Sequence, residues 1–127
     1  MPCFNAQASV ARAVNSIQQQ TISNWELIVV DDGSQDESAK IVEGIAAKDH
    51  RIKLIKRPHQ GVVGASNAGL EAAQGKLIAR MDADDVSLPM RLEKQSQALS
   101  TEPELDAVSC LARFAGDADT AGGYAHH

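Results

Sequence analysis

An α/β fold with a mainly parallel sheet flanked by helices is what this sequence predicts, and three observations carry the prediction. Segments with helical apolar spacing alternate with short apolar runs along the chain. The central runs stop at acidic or turn-forming residues, as strands buried on both faces do. The chain has 127 residues, 43% hydrophobic and 23% charged, which suits one domain with an aliphatic core rather than a disordered segment.

Val10, Ala13, Val14 and Ile17 recur at helical spacing behind the polar stretch Asn5 to Ser9, predicting an amphipathic helix over about residues 8–20. Trp25 to Val30 follows as a buried strand that ends at Asp31-Asp32-Gly33-Ser34. Ser34 with Glu37 three residues on reads as a capping box, and Ala39, Ile41, Val42, Ile45 and Ala46 form the apolar face of the helix it opens. Ile52 to Lys56 is a second strand. Gln60 to Gly64 reads as a flexible loop, leading to a helix over about residues 65–73 that ends at Gly75. Leu77 to Met81 is the third strand and runs into Asp82-Ala83-Asp84-Asp85. Pro89 suits the first turn of a helix carrying Leu92, Gln95 and Leu99, and Ala107 to Leu111 is a last strand. The small, Gly-rich end of the chain marks a flexible tail over 116–127 behind a domain over 1–115.

Composition narrows the function. A net charge of -5 and 3% aromatic residues argue against a nucleic-acid partner, which needs basic and stacking surfaces. No run of about eighteen apolar residues occurs, so no membrane span is expected, and the N-terminus lacks a basic-then-apolar leader, so the expected location is cytoplasmic. Cys3 and Cys110 are then expected as free thiols. The Gly75-Lys76 pair continues as Leu77 and makes no P-loop, and Gly61-Val62-Val63-Gly64 has the wrong spacing for a dinucleotide fingerprint. No nucleophile elbow of the G-x-S-x-G type occurs. His50 and His59 read as surface or turn residues rather than metal ligands.

What remains is acidic. In parallel sheets ligands lie beyond the carboxyl ends of the strands, and Asp31-Asp32 and Asp82-Ala83-Asp84-Asp85 both fall at such ends. Carboxylates gathered on one edge repel unless a cation sits among them, and a hard divalent ion could bridge them to a substrate phosphate. Taken alone, a D-x-D is a solvated turn, or Asp85 the N-cap of the helix behind it.

Four separated blocks add to this. Pro2-Cys3-Phe4-Asn5-Ala6, Trp25 to Ser34, Gly61 to Gly69, and Ala79 to Asp85 with Pro89 to Leu92 resemble, in order and spacing, family 2 glycosyltransferases over roughly residues 2–100. The resemblance implies a Rossmann-like, partial A-type glycosyltransferase fold with helices on both faces of its sheet, holding a nucleotide-diphosphate sugar, UDP-sugars favoured. It implies Mg or Mn held against the donor diphosphate, with Asp84 as metal ligand and Asp82 near the ribose. Asp32 would accept a hydrogen bond from the base, Pro2 and Phe4 would lie beside the nucleoside, and Asp31 and Asn67 would add donor-side contacts. Arg57 and Arg80 are candidates for neutralising phosphate, or ordinary paired surface groups.

The implied reaction is transfer of the sugar to an acceptor hydroxyl, saccharide or lipid, with inversion. A nucleoside diphosphate gains charge as it leaves, a divalent ion stabilises that charge, and a carboxylate can deprotonate the acceptor. Relatives of this kind carry an apolar strand before the Pro-x-Phe-Asn block, where Met1 stands here, and continue into an acceptor half. The resemblance therefore implies a portion truncated at both ends, with no catalytic base assigned and with its incomplete sheet filled, if at all, by a second copy. Two other readings are a response-regulator receiver, from Leu27 to Asp32 with Met81-Asp82, and a non-catalytic nucleotide-binding remnant. A receiver needs its acidic pair by the first strand and a later Lys-Pro turn, and neither is present.

Overall fold

The computed structural model describes residues 1–113. The expected domain end at 115 and the tail behind it lie outside the described residues. Three parallel strands form the sheet in the order β1 (Pro2–Cys3), β2 (Leu27–Asp31), β3 (Ile52–Lys56). Four helices complete the described chain: α1 (Val10–Gln18), α2 (Ser38–Ala46), α3 (Val62–Ala72) and α4 (Arg91–Thr101).

Strand β2 is central because both its faces are apolar. Leu27 and Val29 pack with Ile52 against Val10, Ala13, Val14 and Ile17 of α1 and Val42 of α2. Ile28 and Val30 turn to the opposite side and meet Ala65 of α3, with Ala68 and Ala72 alongside. Alternation along one strand thus places α1 and α2 on one face and α3 on the other. Val14, Val29 and Val30 are fully buried, and each such side chain contributes about 1.5–2 kcal/mol. Small residues let α3 lie close: a Cβ on Gly69 would stand 3.4 Å from Val30 Cγ2.

The segment expected as the third strand, Leu77 to Met81, makes no ladder. Met81 and Ala83 are buried with Cys3, so the segment passes beside β1. Strand β1, however, supplies only Pro2 and Cys3, opposite Val30 and Asp31, extended by Met1, whose amine donates to Ile28 O at 2.9 Å. Leu77 and Ile78 pair with no strand among the described residues and stand 53% and 57% exposed. Ala107 to Leu111, the other expected strand, also forms none.

Smaller corrections follow the same logic of tertiary partners. Ser34 caps no helix, because its Oγ accepts from Asn5 N at 2.9 Å; α2 begins at Ser38, and Asp36 Oδ1 accepts from Ser38 N at 2.9 Å. Helix α3 starts at Val62 rather than 65, since Gly61, at φ 87°, turns the chain straight into it. Pro89 lies just outside α4, before its N-cap Met90. Cys3 is buried and Cys110 exposed, both as free thiols. No helix among the described residues is long and apolar enough to cross a membrane.

Candidate functional site

The carboxyl ends of the three strands open into a cleft of about 370 Å³ whose lining includes Pro2, Phe4, Asp32, His59, Asp82 and Asp84. Parallel strands all present these ends on one edge, so residues far apart in sequence converge there.

The loop behind β1 is welded to the turn behind β2. Asn5 adopts φ 48°, a left-handed conformation Asn tolerates, and its Oδ1 accepts from Gln35 N at 2.9 Å. Ala6 N donates to Ser38 Oγ at 2.8 Å and Gln7 N to Asp36 Oδ2 at 3.1 Å. These bonds span 29 or more residues of sequence, so the cleft's floor is held by tertiary contacts.

Asp32 is the most heavily bonded acid of the site. It is 2% exposed, and its carboxylate accepts from Gly61 N at 2.7 Å and from Gln60 N at 3.1 and 3.2 Å. His59 Nδ1 stands 2.8 Å from its Oδ2, and Arg57 Nε 3.4 Å from its Oδ1. Burial opposes its ionisation, but the amides of Gln60 and Gly61 and the charges of His59 and Arg57 outweigh burial and hold the carboxyl below its ordinary range. Since Gly61 caps α3, Asp32 also faces the positive end of that helix.

Asp82 and Asp84 border the cleft from the segment after Met81. Asp82 pairs with Arg80 at 3.0 Å. Asp84 is exposed, with no hydrogen bond or ion pair among the described residues. A buried hub holds the chain that follows: Gln20 Nε2 donates to Leu88 O at 2.8 Å, and Leu92 N donates to Gln20 Oε1 at 3.0 Å.

Of the residues singled out from sequence, Pro2, Phe4, Asp32, Asp82 and Asp84 meet in the cleft, whereas Asp31, Asn67, Arg57 and Arg80 are not in its lining. Asp31 is 4% exposed and turned into the protein beside Cys3; its Oδ2 accepts from Ser34 N at 3.3 Å and its Oδ1 meets no donor. Burial, with the charge of Asp31 next, pushes the Cys3 thiol up to about 11. Asn67 is exposed on α3 away from the lining, because the helix turns it from the sheet edge. Arg57 is occupied internally, donating to Gly64 O and Gln60 Oε1. His59, read from sequence as a surface residue, lies in the lining with its ring stacked on Phe4, centroids 4.2 Å apart. Its place just beyond the carboxyl end of β3 is the signal that could have found it.

The model of a known family, described as Glycosyl transferase family 2, matches residues 1–125. The chain belongs to this family. The receiver reading falls with that match. Among family 2 relatives, an uncharacterized glycosyltransferase of Haemophilus influenzae is 44% identical over 96 residues, covering 75% of this chain and 38% of its own length. A UDP-Glc:alpha-D-GlcNAc-diphosphoundecaprenol beta-1,3-glucosyltransferase of Escherichia coli is 39% identical over 97 residues, covering 75% and 37%. The chain thus spans less than two fifths of the length of these relatives. A mannosyltransferase of Pyrobaculum calidifontis, solved in complex with GDP-Man and Mn2+, superposes at a TM-score of 0.80 with 27% identity, over 88% of this chain and 34% of that one. TarS of S. aureus, solved with UDP, has the same fold at a TM-score of 0.73, with 24% identity over 79% of this chain and 30% of that one. The architecture is that of the A-type glycosyltransferase fold, in part.

Proposed function

We propose that this chain is the donor-binding portion of a metal-assisted, inverting glycosyltransferase that takes a nucleotide-diphosphate sugar, with a UDP-sugar favoured. The observation that carries the reading is the convergence of Asp32, Asp82 and Asp84 with Pro2 and Phe4 in one cleft at the strand ends. The relatives lend support, one acting with UDP-Glc and one solved with GDP-Man and Mn2+.

The residues present fit Mg or Mn. No three of His, Cys, Asp and Glu group into a metal cage among the described residues. One unengaged carboxylate, Asp84, with Asp82 close by, suits a hard ion that takes its other ligands from substrate phosphates and water. When bound, such an ion would neutralise charge on the departing diphosphate. Asp84 holds it, Asp82 takes the ribose, Pro2 and Phe4 flank the nucleoside, and Asp32 anchors the base end of the seat. Deprotonation of the acceptor, a saccharide or lipid hydroxyl, is assigned to no residue. The reading takes the cytoplasm as the place of the work, where cysteines such as Cys3 and Cys110 stay reduced. Two copies associate on the side of the sheet where Leu77 and Ile78 stand open.

Calorimetric titration of UDP and GDP into the chain, with Mn2+ and then with chelator, tests the donor seat. Expected is metal-dependent binding that weakens at least about ten-fold in Asp84→Ala. Equal binding by the variant, or none by the folded parent, overturns the reading.

A further inference from the structure

Asp32 has little left to offer a ligand. Its carboxylate is 2% exposed and already faces the amides of Gln60 and Gly61 and the His59 ring. What this cluster presents to the cleft is His59, whose side chain is 56% exposed.

Three contacts fix that imidazole. Its Nδ1 lies 3.0 Å from Asp32 O and 2.8 Å from Asp32 Oδ2. Its ring stacks on Phe4 at 28° between planes. Its backbone is packed against Gly33, where a Cβ would come within 2.9 Å of His59 N. Both oxygens at Nδ1 are acceptors when Asp32 is ionised, so Nδ1 carries a proton, and in the neutral form of the ring this leaves the lone pair on Nε2. Nε2 has no partner among the described residues.

Resting on the nucleotide-binding reading above, we propose that His59 is a specificity-determining contact of the cleft, its Nε2 accepting a hydrogen bond from an N–H or O–H of the bound nucleoside. Phe4 supplies the flat wall on which the ring is set, and Asp32 fixes the tautomer. The seat is thereby matched to a nucleoside that offers a donor at this point, either a ring N–H of the base or a ribose hydroxyl.

The test is calorimetry on the full chain with Mn2+ in slightly alkaline buffer, using UDP and GDP, their ring N-methylated forms and their 2′-deoxy forms. His59→Phe keeps the stack and loses both nitrogens; His59→Asn keeps a donor toward Asp32 without an atom at the Nε2 position; His59→Gln places an amide there instead. Expected is roughly ten-fold weaker binding of the parent nucleotide by the Phe and Asn variants, with Gln within about three-fold of the parent protein. The penalty of either the N-methyl or the deoxy analogue should vanish in His59→Phe, which identifies the donor. Unchanged binding by His59→Phe, survival of both analogue penalties in it, or rescue by Asn rather than Gln overturns the inference while leaving the nucleotide seat standing. Absence of binding of every nucleotide by the parent protein overturns both.

Discussion

Gln20 shows how much of the site depends on one side chain far from it. Its amide, 8% exposed, ties α1 to the chain behind Asp84 through Ser87, Leu88 and Leu92. Gln20→Ala leaves these groups without partners, so urea unfolding should show a loss of about 1–3 kcal/mol. Asp49 works the same way on the opposite side. Its carboxylate takes two bonds from the Arg51 guanidinium, at 3.0 and 2.8 Å, and one from Gln18 Nε2 at 3.0 Å. The Arg51 pairing, then the Gln18 bond, hold its carboxyl far below the ordinary range. A depressed carboxyl contributes stability that is present above the unfolded value near 3.8 and lost as pH falls through the folded one. Thermal midpoints measured on acidification should therefore fall in the parent chain and fall less steeply in Asp49→Asn. Single residues were legible from sequence where their position is set locally, as with the Asp82-Ala83-Asp84 cluster, whose place at the cleft follows from its place in the chain. They were not where the partner is remote: His59 meets Asp32 27 residues away, and Ser34 meets Asn5 29 away.

The helices and strands that sequence made plain are those whose own residues carry the periodicity. Strands β2 and β3 and helices α1 and α2 follow from apolar runs and stripes, and all four pack around Val29. Val29→Ala removes two methyl groups from a fully buried site, so a loss of about 2–3 kcal/mol is expected in denaturant titration. Leu77 to Met81 has an equally strand-like pattern, yet pairing belongs to two segments at once, and no spacing within one of them reveals whether the other is there. The turn between β2 and α2 is a third case. Gly33 adopts φ 78° against His59, so Gly33→Ala meets both backbone strain and a contact inside van der Waals distance. A loss of about 1–3 kcal/mol is expected, with weaker nucleotide binding in the same variant because the His59 loop must move.

At the scale of the molecule, the described residues cover one face of the sheet with α1 and α2 and the other with α3, while Leu77, Ile78, Val86, Leu88 and Met90 stand at least half exposed, as do Val62, Val63 and Leu70 of α3. Exposed apolar side chains in this number favour association. Sedimentation velocity should show concentration-dependent growth in the parent chain, reduced in a double variant Leu77→Lys and Ile78→Lys; a monomer at all concentrations counts against the second-copy proposal. The positive end of α3 has a different consequence. It points at the carboxylate of Asp32, so the helix offers no compensation to an incoming diphosphate, in a cleft that also holds Asp82 and Asp84 on a chain of net charge -5. In chelator, a nucleoside diphosphate approaches through a repulsive field, and added potassium chloride should tighten its weak binding by screening that field. Most phosphate sites lose affinity as ionic strength rises; this one, stripped of divalent ions, should gain it.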